Sequence, residues 1–249
     1  MNNNTKLLGA ATGISSLDNM LSGLQEGKLY LVGSRPAIGK STLGFNLAKN
    51  ISSSSEKPAL IFSLEMSCED IVARGHFNFT DNRENNNRLR KVEAAQIYID
   101  DSVSMSPNEM RSTVRDLYNQ YDGLSLVVVD YLQLMKIPDC ISDRTQEISE
   151  ILRSLKSLAK EFEVPIIVLS QLSRNVDSRE NKRPKISDIR EYTPSESNVD
   201  VIMLMYTDGL LQSNTSNGNN KSSCEIIVLN QLGDIIGIVH TELNQIIFR

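Results

Sequence analysis

The residues most able to do chemistry stand in one short stretch, SRPAIGKS, residues 34–41. It lies between an apolar run, KLYLVG, and a segment with helical periodicity. A strict phosphate-binding loop reads G-x-x-x-x-G-K-[ST]. Here Ser34 holds the first glycine place and Gly33 stands just before it. In a strand–turn–helix setting, backbone N–H groups from Ala37 to Ser41 can surround a phosphate at the helix N-terminus. The whole stretch Ser34, Arg35, Pro36, Ala37, Ile38, Gly39, Lys40, Ser41 and Thr42 is therefore the candidate nucleotide site. Lys40 would neutralise charge on the β- and γ-phosphates, Ser41 would coordinate Mg²⁺, and Gly39 would let the backbone approach without a Cβ clash. The plain alternative is a helix start with a solvated lysine.

Three further apolar runs end in polar groups. LSLVVVD ends in Asp130, where a carboxylate at the C-terminal end of a buried strand is a Mg²⁺ partner. IFSLEM places Glu65 just past a strand, where it could polarise an attacking water. The same position also suits a carboxylate at the start of the next helix. VPIIVLSQ ends in Gln171, a neutral amide able to sense a γ-phosphate by hydrogen bonding, although Gln is common at strand ends.

Positioning these groups needs a parallel sheet with its carboxyl ends in one crevice. The pattern supplies one: apolar strand-length runs at 28–33, 59–63, 96–100, 124–130, 164–171 and 201–206 alternate with helical stretches. Helices are expected at 14–24, 41–51, 68–79, 107–121 and 143–162. The Asn- and Arg-rich segment 80–91 has no period and reads as a loop. CEIIVLN and IIGIVHTEL flank a turn at 231–235 and read as a hairpin adding antiparallel edge strands. The expected class is α/β, a mainly parallel sheet flanked by helices. Residues 1–12 read as a leader or linker stub, 13–249 as one nucleotide-binding domain, and the Ser/Asn/Gly-rich stretch 212–223 as a disordered loop.

Composition narrows the function classes. The 249 residues carry 26 Lys and Arg against 31 Asp and Glu, a formal charge of −5, which excludes a cationic nucleic-acid-binding surface over the whole molecule but not a local basic channel. Aromatics make up 5% and Trp is absent, which weakens any reading built on aromatic stacking. Three Cys without C-x-x-C spacing and two distant His argue against a disulfide framework and a zinc site. Without an 18-residue apolar stretch or a signal core, no membrane partner is expected, and the expected location is the cytoplasm.

The ordered set TGISSLDNMLSGL, SRPAIGKST, LIFSLEM, IYIDDS, VVVDYLQLM, SLKSLAKEFEVPIIVLSQLSR, KRP and SDIRE resembles the C-terminal motor domain of DnaB-type replicative helicases, from about residue 12 to the end. DYLQLM, SLEM and LSQLSR are more specific than the phosphate loop itself. RadA- and KaiC-type relatives share TGI-x-x-LD but lack DYLQLM. The resemblance implies a RecA-like fold, ATP with Mg²⁺, a homo-hexameric ring and movement on single-stranded DNA. It assigns Lys40 and Ser41 to phosphates and metal, Glu65 to water activation, Asp130 to Mg²⁺ and Gln171 to γ-phosphate sensing. It also points to Arg190, Glu191, Tyr192 and Thr193 as the DNA-contacting loop.

The chain departs from that pattern in four places. The family's N-terminal helical domain and most of its linker helix have no counterpart in these residues. DIREYT carries Tyr192 and Thr193 where the family has Ser and Gly. The K-Q-R triplet that reaches a neighbouring subunit's ATP site reads Asn230, Gln231, Leu232. The region from Phe79 to Gln96 is shortened and Asn-rich. Two functions follow: an ATP-dependent DNA helicase motor, or a helicase-like ATP-binding regulator that docks on a helicase or its loader.

Overall fold

The computed structural model describes residues 7–74, 76–83, 89–92, 95–138, 143–189, 199–207 and 223–242. In chain order the elements are α1 (Ser15–Leu21), β1 (Leu29–Ser34), α2 (Lys40–Ser54), β2 (Ala59–Ser63), α3 (Cys68–Ala73), β3 (Phe79–Arg83), β4 (Leu89–Val92), β5 (Ile97–Asp100), α4 (Pro107–Tyr121), β6 (Leu126–Asp130), α5 (Arg144–Glu161), β7 (Ile166–Gln171), β8 (Val201–Tyr206), β9 (Ser223–Asn230) and β10 (Ile235–Glu242). They form one sheet in the order β10-β9-β8-β1-β7-β6-β2-β5-β4-β3. The six strands from β8 to β5 run parallel, and an antiparallel hairpin closes each edge.

The central strands are continuously apolar because both sheet faces are covered. Tyr30, Val32, Ile61, Val128 and Leu169 pack with Leu43, Leu47 and Ile51 of α2 on one face. Leu31, Leu60, Phe62, Val127, Val129 and Val168 pack on the other with Val114 and Leu117 of α4 and Ile151, Leu152 and Leu155 of α5. Truncating a fully buried leucine such as Leu47 to alanine would cost about 2–5 kcal/mol. At Gly44, a Cβ would stand 3.1 Å from Leu169 and 3.2 Å from Val128, so α2 lies close on β6 and β7.

Helix ends follow local chemistry. Ser106 and Glu109 form a capping box ahead of α4, Pro107 takes its first position, and Asp122 closes it in the left-handed conformation. The Asp143 carboxylate accepts the Gln146 N–H to start α5. Residues 7–12, within the stretch expected as a leader, are tied to α1. The Leu8 and Gly9 N–H groups donate to the Ser22 carbonyl, and the Thr12 N–H donates to the buried Asp18 carboxylate at 2.7 Å.

Three expectations need correction. Segment 80–91 is not a loop throughout: β3 and β4 form a hairpin on β5. Its residues carry no alternation because only tertiary pairing holds them, with Arg90 on Glu69 at 2.7 Å and Lys91 over the Tyr98 ring. The expected helix from residue 68 to 79 stops at Ala73. Of the stretch 212–223, residues 212–222 lie outside the described residues, and Ser223 opens β9.

Candidate functional site

The carboxyl ends of β1, β7, β6 and β2 lie side by side: Ser34 is in register with Gln171, and Ser63 with Asp130. The crevice outside such ends, where the strand order reverses, is where open α/β sheets bind ligands. A cavity of about 350 Å³ opens there, lined by every residue from Ser34 to Thr42 and by Glu65, Met66, Arg74, His76, Tyr131 and Gln171. The loop and two of the three strand-end groups singled out in the sequence thus face one space, and the third, Asp130, is bonded to its lysine.

The loop's shape explains its residues. Ala37 has φ 63° and Gly39 has φ 95°, so the chain turns through two left-handed positions before α2. Gly39 is the α2 N-cap and supplies no side-chain acceptor. The first N–H groups of the helix, which have no intrahelical partner, and the positive end of its dipole are thereby left for an anion. Among the described residues, no atom outside its chain neighbours lies within 4 Å of the place a Gly39 Cβ would take, so the backbone conformation rather than crowding requires glycine here in the protein alone. Gly33 has a different reason. A Cβ there would stand 3.0 Å from both Leu172 and Leu204.

Lys40 Nζ donates to Asp130 Oδ1 at 2.9 Å and lies 4.4 Å from the centre of the Tyr131 ring. Asp130 is fully buried, and among the described residues its Oδ2 has no hydrogen-bond partner. A buried, unpartnered carboxylate oxygen beside a phosphate loop is what a magnesium nucleotide would use, directly or through metal-bound water. The residues present fit that group: Asp130 Oδ2 and the Ser41 hydroxyl for the metal, with Lys40 and the helix N-terminus for the phosphates.

Glu65 is exposed and lines the cavity. The alternative use of its carboxylate, starting α3, belongs to other residues: Ser67 and Asp70 make the capping box. Ser63 fixes the approach by donating its hydroxyl to the Met66 carbonyl at 2.7 Å.

Several residues of the site escaped the sequence reading. Arg74 adds a cation to the cavity just past α3. His76 packs its ring edge-on to Phe45 at 5.3 Å. Burial pushes its pKa below the ordinary imidazole value, and the nearby Arg74 cation adds to that, so it lines the cavity as a neutral ring at pH 7. Gln133 holds the end of β7: its Nε2 donates to Ser170 Oγ at 2.9 Å and its Oε1 accepts the Gln171 N–H at 3.3 Å. Asp177, beyond β7, is ion-paired with Arg35 of the loop. None of these follows a periodic pattern. Only Gln133 had a signal, its place within DYLQLM.

The triplet at 230–232 forms the β9–β10 turn. Asn230 Oδ1 accepts the N–H groups of Leu232 and Asp234, and its Nδ2 donates to the Asp234 carboxylate at 3.0 Å. Leu232 is 72% exposed, so it does not pack in the sheet edge. Arg190, Glu191, Tyr192 and Thr193 lie outside the described residues. Cys68 and Cys224 are free, buried thiols. Burial raises the pKa of Cys68 to about 12, and nearby Asp101 adds to it. Among the described residues, no His, Cys, Asp and Glu cluster could hold a metal by itself, and no helix is long and apolar enough to cross a membrane.

A mainly parallel sheet with a phosphate loop on β1 and a buried aspartate on β6 defines a P-loop nucleotide-binding domain of the RecA-like kind. The chain matches the DnaB-like helicase C terminal domain over residues 9–247, and it belongs to that family. It is 41% identical over 256 residues to the replicative DNA helicase DnaB of Buchnera aphidicola subsp. Baizongia pistaciae, covering 96% of this chain and 54% of the relative. The corresponding protein of Haemophilus influenzae is 39% identical, with 98% and 55% covered. The chain thus spans about half the length of the curated relatives it matches. A solved DnaB-like replicative helicase, described with its primase interactions, superposes with a TM-score of 0.76 at 29% identity, covering 96% of this chain and 62% of that one. A solved ATPase domain gives the same TM-score at 28% identity, with 96% and 89% covered.

Proposed function

We propose that this chain is the motor domain of a DnaB-type replicative helicase, binding ATP with Mg²⁺ and coupling its hydrolysis to movement on single-stranded DNA. The observation that carries the reading is the Lys40–Asp130 pair with its unpartnered Oδ2, set beneath the α2 N-terminus and beside Glu65. Bound Mg²⁺ would supply charge neutralisation between the β- and γ-phosphates. Lys40, freed from Asp130, would bind phosphate oxygens. Glu65 would accept a proton from the attacking water. Gln171 would hydrogen-bond the γ-phosphate. Arg74 would add positive charge where charge develops in the transition state.

Membership of a helicase motor family and a complete set of binding and water-activating groups favour this reading over a regulator that only binds ATP. Single-stranded DNA as track, residues 190–193 as its contact and a homo-hexameric ring in the cytoplasm are part of the same proposal.

The test begins with Lys40→Ala. The lost charge-assisted contact is worth about 1.5–3 kcal/mol, roughly ten- to a hundredfold in ATP affinity by calorimetry. Equal affinity would overturn the site assignment. Unwinding of a forked DNA with ATP and Mg²⁺ is the expected activity, and its absence at every protein concentration would leave an ATPase without motor function.

A further inference from the structure

The motif DYLQLM contributes more than Asp130. Tyr131 to Ile137 leave β6 as a tight loop that includes one 3₁₀ turn, Leu132–Leu134. The loop is held from outside by α5. Arg144 Nη2 donates to the Gln133 carbonyl at 2.9 Å and to the Met135 carbonyl at 3.1 Å. Glu147 is ion-paired with Arg144 and accepts the Ile137 N–H at 2.8 Å. Burial works to raise the Glu147 pKa, but the Ile137 N–H and the Arg144 guanidinium outweigh it and hold the carboxyl below the usual range. The backbone of Gln133 is therefore a fixed point.

From that fixed point its side chain reaches across to β7. Both halves of the amide are used: Nε2 on the fully buried Ser170 hydroxyl, Oε1 on the Gln171 N–H. The contact falls at the strand's last two residues. There the Ser34–Gln171 register with β1 continues, while the ladder to β6 is registered only as far as Val129–Val168. Gln133 thus bridges the end of β7 to the β6 exit beyond the reach of the strand ladder. The bridge joins the backbone under the Asp130 carboxylate to the backbone that carries the Gln171 side chain.

We propose that Gln133 is a positioning residue for γ-phosphate sensing: its amide sets the place of Gln171 relative to Asp130. The proposal rests on the reading of Gln171 as the sensor. Its signature is discrimination rather than overall affinity. MgATP and MgADP share every contact except those to the γ-phosphate, so a displaced Gln171 lowers ATP affinity and leaves ADP affinity unchanged. A purely structural role for Gln133 would weaken both nucleotides together or neither.

The experiment measures MgATP and MgADP binding by calorimetry for the parent, Gln133→Met and Gln133→Glu. Methionine keeps the length and loses both hydrogen bonds. Glutamate can accept the Gln171 N–H with one oxygen and the Ser170 hydroxyl proton with the other. The ratio of ADP to ATP dissociation constants should fall about three- to tenfold in Gln133→Met, the scale of one or two neutral hydrogen bonds. It should return toward the parent value in Gln133→Glu. An unchanged ratio in Gln133→Met, or a glutamate variant as defective as the methionine one, overturns the proposal. If Gln133→Met does not fold, the glutamate variant decides: a parent-like ratio supports the bridge, and a collapsed one overturns it. A parent that binds neither nucleotide refutes the site itself. A parent that binds both equally refutes the sensing role of Gln171, and this proposal falls with it.

Discussion

The nucleotide crevice and the β9–β10 turn use polar side chains in opposite ways. In the crevice, hydrogen-bonding capacity is left over: among the described residues Asp130 Oδ2 has no partner, and Glu65 and Arg74 line an open cavity. At the turn, capacity is used up, since Asn230 accepts two N–H groups and donates to Asp234. Beside the exposed Gln231 and Asp234, the hairpin also turns apolar side chains outward: Leu232, Ile235 and Ile236 are all more than half exposed. A group kept for a ligand is one the fold does not need. A group the fold needs is one a ligand cannot have. By this criterion Asn230 is a turn organiser, at the place where the resemblance puts a cation.

The sharpest way to break the comparison is Glu65→Gln. If Glu65 is spare to the fold, the variant should melt like the parent and bind ATP as well, yet lose about 10² to 10⁴ in turnover. Steady-state ATPase with calorimetry checks both halves. Equal turnover would return this carboxylate to the surface. Next in size is Asn230→Ala, which should have the reverse profile. Loss of the exposed turn hydrogen bonds to Leu232, Asp234 and the Asp234 carboxylate should lower stability by about 0.5–1.5 kcal/mol in a denaturant melt, with ATP affinity unchanged. A silent substitution would show that the turn stands without its amide.

Smallest is Leu232→Arg. At 72% exposure the change should move stability by less than about 0.5 kcal/mol. It restores a cation at the place where the resembling family reaches its neighbour. Turnover should therefore rise only at protein concentrations where subunits associate. A rise independent of concentration would show the arginine acting within its own subunit. The double change with Asn230→Lys is less clean, because it also dismantles the turn.

How much of this was legible in the sequence depends on whether a signal was local. The phosphate loop, the strand ends at Asp130 and Gln171, and the bounds of α4 were readable because a short motif, an apolar run or a Ser-Pro start marks each one in place. The β3–β4 hairpin was not, since Leu89 to Val92 become a strand only by pairing with β5. Arg74 and His76 were missed because they follow a six-residue helix with no periodicity of its own. Gln133 was in view within a recognised motif, but its function lies in hydrogen bonds to residues 37 and 38 positions away, which spacing cannot show. Asn230 was read as a missing charge. An Asn three residues before Gly233 is also a turn signal, and Gly233, with φ 92°, confirms that the chain reverses there.

The strand order carries one more consequence, for the order in which the molecule can be made. β1, whose end bears the phosphate loop, has no sheet neighbour from the first half of the chain; it lies between β7 and β8. A ribosome that has delivered the loop, α2 and β2 has not yet delivered either strand against which β1 must pair. The crevice therefore closes late in synthesis, once Gln171 has emerged. Until then β1 has helices to cover its faces but no strand to pair with its edges. Nucleotide binding by a nascent chain would thus report the pairing of β1 with β7 rather than the presence of the motif.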